Sequence, residues 1–128
     1  DAVAPALEII DSRYENFQFT LEDVIADNSS SSHFTVGRWR PLTMDISALE
    51  MTLLVDDEPV LIGNSREISG HPVNTIVELS NLALKQGSKL KAGWIVLAGA
   101  ATEAVAINGA CKISCVVSEL GEVEVGVG

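Results

Sequence analysis

Basic side chains are few: 8 Lys and Arg stand against 18 Asp and Glu, a formal net charge of −10. A phosphate backbone is held by clustered cations, so nucleic acid is not an expected partner. The acidity favours solubility, and an anionic ligand would need a local cation or a focused basic spot. Cysteine is equally scarce. Cys111 and Cys115 are the only two. Four apart in a strand-like stretch, they share a face at about 13 Å, too far for a disulfide within one strand. With no His beside them they are too few for a structural zinc site. Reduced thiols fit a cytoplasmic protein. No low-charge apolar run reaches the roughly 18 residues of a membrane-spanning helix, so no membrane partner is expected. The start, Asp1 to Pro5, has neither the basic region nor the apolar stretch of a signal peptide, and no initiator Met, which reads as a cut or processed chain. GxSxG, P-loop and GxGxxG motifs are all missing.

What remains is a chain of 128 residues, 47% hydrophobic, enough for one domain with a core. Residues 6–10 read as a short strand and residues 33–37 as another. Residues 14–26 mix aromatics and acids. Residues 27–32 form a polar run that reads as an ordered loop, although a serine run also suits a flexible linker. Residues 38–48 look irregular around Pro41. Residues 49–63 read as a hairpin turning at Asp56-Asp57-Glu58, a solvated turn. One clear helix is expected over about 72–86. Pro72 suits its first position, and Gly87 suits the position just past its end. Its stripe of Val73, Ile76, Val77, Ser80, Ala83 and Leu84 reads as core packing. Residues 94–97, 104–107, 112–117 and 123–127 read as further strands. The sum is α+β and mostly β, best built as a rolled mixed sheet with one main helix.

Glu8 is the most informative side chain. In a strand it shares a face with Ala6 and Ile10, and both faces are otherwise apolar, so its carboxylate is expected in or beside the core. Such a group needs an ion partner, hydrogen bonds or a metal. An edge position, or pairing with Arg13, is the plainer reading. Asn28, Ser29 and Ser30 can hold a carboxylate or keto oxygen, but the same residues fill ordinary turns. Gly99 and Thr102 sit at an expected strand end, where a ligand can approach the backbone or the chain merely bends. His71 reads as a helix-start residue rather than a base.

Several stretches together carry a family resemblance. PALEIIDSRYENF (residues 5–17) and IADNSSS (residues 25–31) resemble segments of the 2-oxo-3-hexenedioate (4-oxalocrotonate) decarboxylases, which are related to the 2-oxopent-4-enoate hydratases. GHP (residues 70–72), LKAGWIVLAG (residues 90–99), TEAV (residues 102–105) and LGEV (residues 120–123) are similar to softer motifs of the same family. The resemblance implies the fumarylacetoacetate hydrolase C-terminal-like fold and the C-terminal part of a larger catalytic domain. It implies Mg2+ (or Mn2+) held by three carboxylates. One falls on Glu8 and two belong to an E-x-E motif upstream of Asp1, as does a catalytic lysine. It makes Ser29 a candidate catalytic and substrate-binding residue, with Asn28, Ser30, Gly99 and Thr102 as further substrate contacts. The implied reaction is decarboxylation of a small unsaturated 2-oxo acid in aromatic meta-cleavage catabolism, with hydration as the alternative. The implied assembly is a homo-oligomer, with the sister hydratase or decarboxylase as a candidate partner. This chain alone is expected to be inactive, or to serve as a non-catalytic module.

Overall fold

The computed structural model describes residues 1–109 and 111–128. Strand β1 (Ala2–Val3) pairs antiparallel with β4 (Arg40–Pro41), and β2 (Ala6–Ile10) with β3 (Ser31–Val36). A four-stranded sheet runs in the order β6-β5-β7-β8, from β5 (Glu50–Val55), β6 (Glu58–Asn64), β7 (Cys111–Val117) and β8 (Gly121–Val127). Every ladder among the described residues is antiparallel, where a mixed sheet was expected.

The β5–β6 hairpin forms as expected. Val55 faces Glu58 across a two-residue turn, and Asp56 and Asp57 both take left-handed φ, +50° and +67°. That handedness matches the twist of the flanking strands, and Asp tolerates it because its short side chain can bond the nearby backbone. Here Asp56 Oδ1 accepts from the Lys112 N–H at 2.8 Å, and Asp57 pairs with the Lys112 ammonium.

The main helix, α2 (Pro72–Lys85), also forms as expected. His71 caps it, its Nδ1 accepting from the Val73 N–H at 3.1 Å, which answers one of the orphan donors of the first turn. At the far end Ser88 N–H reaches Ala83 O at 2.8 Å and Gly87 N–H reaches Leu84 O at 3.0 Å. This is a Schellman closure, with Gly87 at φ +72°.

Three expectations are corrected. Residues 14–26 contain a second helix, α1 (Leu21–Ala26), started by a reciprocal Thr20–Asp23 capping box. Residues 94–97 and 104–107 form no strand. A strand exists only by pairing, and no ladder among the described residues includes these segments; between them Ala101 lies against β6, where a Cβ built on Gly63 would come 2.3 Å from its carbonyl oxygen. The α2 stripe is not core in this chain. No residue of α2 is buried, and Leu84 is 62% exposed. The packed core lies instead on the four-stranded sheet, where Ile46, Leu49, Cys115, Val117, Leu120 and Val123 cluster, with Leu7 of β2 against them. Both cysteines are free, and burial pushes the Cys115 thiol pKa up.

Candidate functional site

Strand β2 sets the position of Glu8. Leu7 points to the core, so alternation turns Glu8 to the other face, and it is exposed. The carboxylate is therefore beside the core and not in it, and β2, paired with β3 alone among the described residues, holds it at an edge position. The apolar residues on both faces of β2 are half-buried, and Glu8 alone in the strand is exposed. Arg13 does not pair with Glu8. The hydroxyl of Ser31, the first residue of β3, donates to Glu8 Oε1 at 2.7 Å. Ser31 lies opposite Ile10, so this contact is a diagonal cross-strand pair.

Just before Ser31 the chain makes a tight turn. Asn28, Ser29 and Ser30 all take left-handed φ, at +52°, +56° and +56°. For residues other than glycine this costs on the order of 1–2 kcal/mol each, so the surroundings must hold it. Asp27 does so. Its carboxylate, on a residue 4% exposed, accepts from Ser30 Oγ at 3.0 Å, from the Arg13 guanidinium Nε, and from the Arg13 N–H at 3.4 Å. Its carbonyl accepts from Arg13 Nη2 at 2.8 Å and from the Ser30 N–H at 2.9 Å. Ser30, 1% exposed, is thus tied into the turn, while Asn28 and Ser29 are exposed.

Burial raises the Asp27 pKa, but the bonds from Ser30 and Arg13 and the guanidinium charge outweigh it, so the net shift is downward. A lowered folded-state pKa adds stability above the ordinary carboxylate range. That stability is lost as pH falls through the depressed value, in a window below about pH 4. Asp27→Asn is expected to flatten the acid limb of the stability curve and to lower stability at neutral pH. Denaturant titrations across pH 2–7 check this, and an unchanged acid limb contradicts it.

A groove of about 1100 Å³ opens over the core. Glu8, Gly99 and Thr102 line it together, joined by Asp11, Ser12 and Tyr14. Asn28, Ser29 and Ser30 do not line it; they reach the site through Ser31 and Glu8. Gly99 takes φ +125°, a conformation reserved for glycine, with Ile68 Cγ2 3.3 Å from where its Cβ would be. Thr102 Oγ1 donates to its neighbour's carbonyl, Glu103 O, at 3.1 Å. His71 is occupied as the cap of α2. The sequence offers Arg13 only as a partner for Glu8 and Asp27 only as part of the polar loop, and it gives Ser31 no role. Ser31 is the third of four consecutive serines, and only the β2–β3 register distinguishes it from the others.

Magnesium prefers six oxygen donors, some of them water. Glu8 offers a suitable oxygen, already oriented by Ser31. No group of three His, Cys, Asp or Glu able to hold a metal occurs among the described residues. The donor chemistry of Glu8 fits magnesium, but the described residues do not supply the number of donors such a site needs. No helix among the described residues is long and apolar enough to cross a membrane.

No family model matches the sequence. Individual relatives do. A 4-oxalocrotonate decarboxylase of Pseudomonas sp is 50% identical over 121 residues, covering 94% of this chain and 47% of that protein. The 2-keto-4-pentenoate hydratase 1 of Dechloromonas aromatica (strain RCB) is 37% identical over 122 residues, covering 93% and 46%. Among solved structures, the 4-oxalocrotonate decarboxylase from Pseudomonas putida G7 complexed with magnesium and adipate superposes with a TM-score of 0.92. It is 36% identical, and the match covers 97% of this chain and 48% of that one. The same enzyme complexed with calcium and acetate gives 0.88 at 33% identity, covering 97% and 47%. The chain spans about half the length of the curated relatives it matches. Agreement of sequence over nearly all of these residues with a shared α+β fold leads to one conclusion: the chain belongs to the enzyme family of the 4-oxalocrotonate decarboxylases and 2-keto-4-pentenoate hydratases.

Proposed function

We propose that this chain is part of a divalent-metal-dependent decarboxylase that converts 2-oxo-3-hexenedioate to 2-hydroxypenta-2,4-dienoate, within a larger catalytic domain. The observation that carries the reading is the 2.7 Å contact from Ser31 to Glu8 at the mouth of the serine turn. It presents an oriented carboxylate beside hydroxyl and amide groups. The relatives' names support the reaction class, and the neighbour holding magnesium and adipate, a six-carbon diacid, supports the ligand class.

In this reading Glu8 is one of three carboxylates around Mg2+ or Mn2+, the others lying outside these residues. A cation bound there would stabilise negative charge gathering on the substrate 2-oxygen. The chain's own groups do the rest. Ser29, with Asn28, offers donors to a substrate oxygen from an exposed turn, and Ser30 holds that turn from within. The conformation of Gly99 lets a ligand approach the backbone near Thr102. The bond to the distal carboxylate breaks, carbon dioxide leaves, and the electron pair runs along the conjugated chain to the 2-oxygen. A proton then completes the 2-hydroxydiene. Donors already fixed where charge develops need not reorganise during the reaction.

The sister hydratase reaction is the second reading, favoured by the 37% identity to the Dechloromonas enzyme. A non-catalytic module is the third, favoured by the lone candidate carboxylate. Carbon dioxide release from 2-oxo-3-hexenedioate with magnesium, by the assembly containing this chain, is expected. Water addition to 2-hydroxypenta-2,4-dienoate without decarboxylation selects the hydratase, and neither activity selects the module. Ser29→Ala is expected to raise KM about tenfold, the loss of one hydrogen bond to a charged ligand. The reactive complex in this proposal is cytoplasmic and homo-oligomeric, with the sister enzyme as a partner.

A further inference from the structure

We propose that Asp27 is a positioning residue: paired with Arg13 beneath the serine turn, its carboxylate fixes the three left-handed residues so that Ser31 meets Glu8. The proposal rests on the reading of Glu8 and the serine turn as the reactive face.

The hub joins two segments far apart in sequence. Arg13 follows β2, which carries Glu8, and Asp27 precedes the turn that leads into β3. Besides the Asp27–Arg13 bonds, the Asp11 N–H reaches Ser30 O at 2.8 Å. The end of β2 and the turn are thereby locked on both sides of the Glu8–Ser31 contact. Ser31 leaves the turn directly, so any rotation of the turn moves its hydroxyl.

The residue types are specific to the task. The Asp27 carboxylate meets donors only: a hydroxyl, a guanidinium N–H and a backbone N–H. An asparagine amide would turn an NH2 toward at least one of them. Arg13 uses its fork, Nε on the carboxylate and Nη2 on the carbonyl of the same residue. A lysine ammonium cannot reproduce that planar pair. None of the hub's hydrogen bonds described above reaches the core cluster around Leu120 and Val123. Loss of the hub should therefore loosen the turn and leave the main sheet in place.

Hydrogen exchange on the full 128-residue chain tests the hub with no substrate present. Asp27→Asn and Arg13→Lys are each expected to speed exchange at the amides of Asp11, Arg13 and Ser30 at least about tenfold, and at Leu53 and Cys115 several-fold less than that. In the active assembly the same variants are expected to raise KM for the 2-oxo acid about tenfold or more, with kcat within a few-fold. Unchanged exchange at the three amides overturns the proposal. Equal acceleration in β5 and β7 also overturns it, since the pair would then support the whole fold. Faster turn exchange with unaltered KM overturns the positioning role. Exchange is read without substrate, so a failed assignment of Glu8 to the reaction is distinguishable from a failed hub.

Discussion

Glu8→Gln lowers metal-dependent turnover by about 10²–10³-fold, on the scale seen when one charge-stabilising group is removed from a reactive site. The substitution is nearly isosteric. Gln keeps an oxygen that can accept from Ser31 Oγ, so the β2–β3 ladder and the serine turn should stay in place. Only the negative charge is lost, and that is the feature a divalent cation requires. The effect therefore separates charge from architecture. Carbon dioxide release in the assembled enzyme is the measurement, with circular dichroism confirming an unchanged fold. Turnover at the parent rate would remove Glu8 from the site. Calorimetry of the 128-residue chain with magnesium should show no tight binding, because a single carboxylate does not make a cage.

Leu120→Ala costs about 2–5 kcal/mol, a large share of the 5–15 kcal/mol that holds a domain together. Leu120 is 4% exposed in the turn between β7 and β8 and packs with Ile46, Leu49, Val117 and Val123. Truncating it leaves a void among side chains that strand pairing fixes in position. Leu84→Ala, on α2, should change the stability of this chain by less than about 0.5 kcal/mol, because Leu84 is 62% exposed. Denaturant unfolding of the two variants side by side decides the matter. Equal losses would mean that α2 is packed after all.

Part of this architecture is legible in the residues because the signal is local. Pro72 with Gly87 brackets α2, and Asp56-Asp57 marks the hairpin turn. Residues 111–127 alternate toward a core on one face. The capping box at Thr20–Asp23 is also local and announces α1, but the aromatics around it obscure its short helix. Other features are not local. Residues 94–97 have the composition of a strand, yet a strand requires a partner, and the composition does not say whether one is within reach. The alternation of β2 shows that Glu8 and Leu7 face opposite ways. It cannot show how far each side chain is covered, and so it leaves Glu8 between a place in or beside the core and an exposed edge. Ser31 stands out only once the β2–β3 register puts it across from Ile10. Asp27 and Arg13, 14 positions apart, become a pair only when β2 and the serine turn are brought together. The family motifs contain the segments that the β2–β3 pairing brings together. The hub beneath the serine turn, with Asp27 buried and Arg13 exposed, lies inside two of them.

The bare side of α2 has a further consequence. Val77, Leu82 and Leu84, together with Trp94 and Ile95, present oily surface to water. Made without a companion to cover that side, the chain would attract holdase chaperones and cellular proteases, and its level in a cell would be set by clearance more than by synthesis. Its abundance should therefore rise when a segment that covers this side is produced with it, before any catalysis is measured.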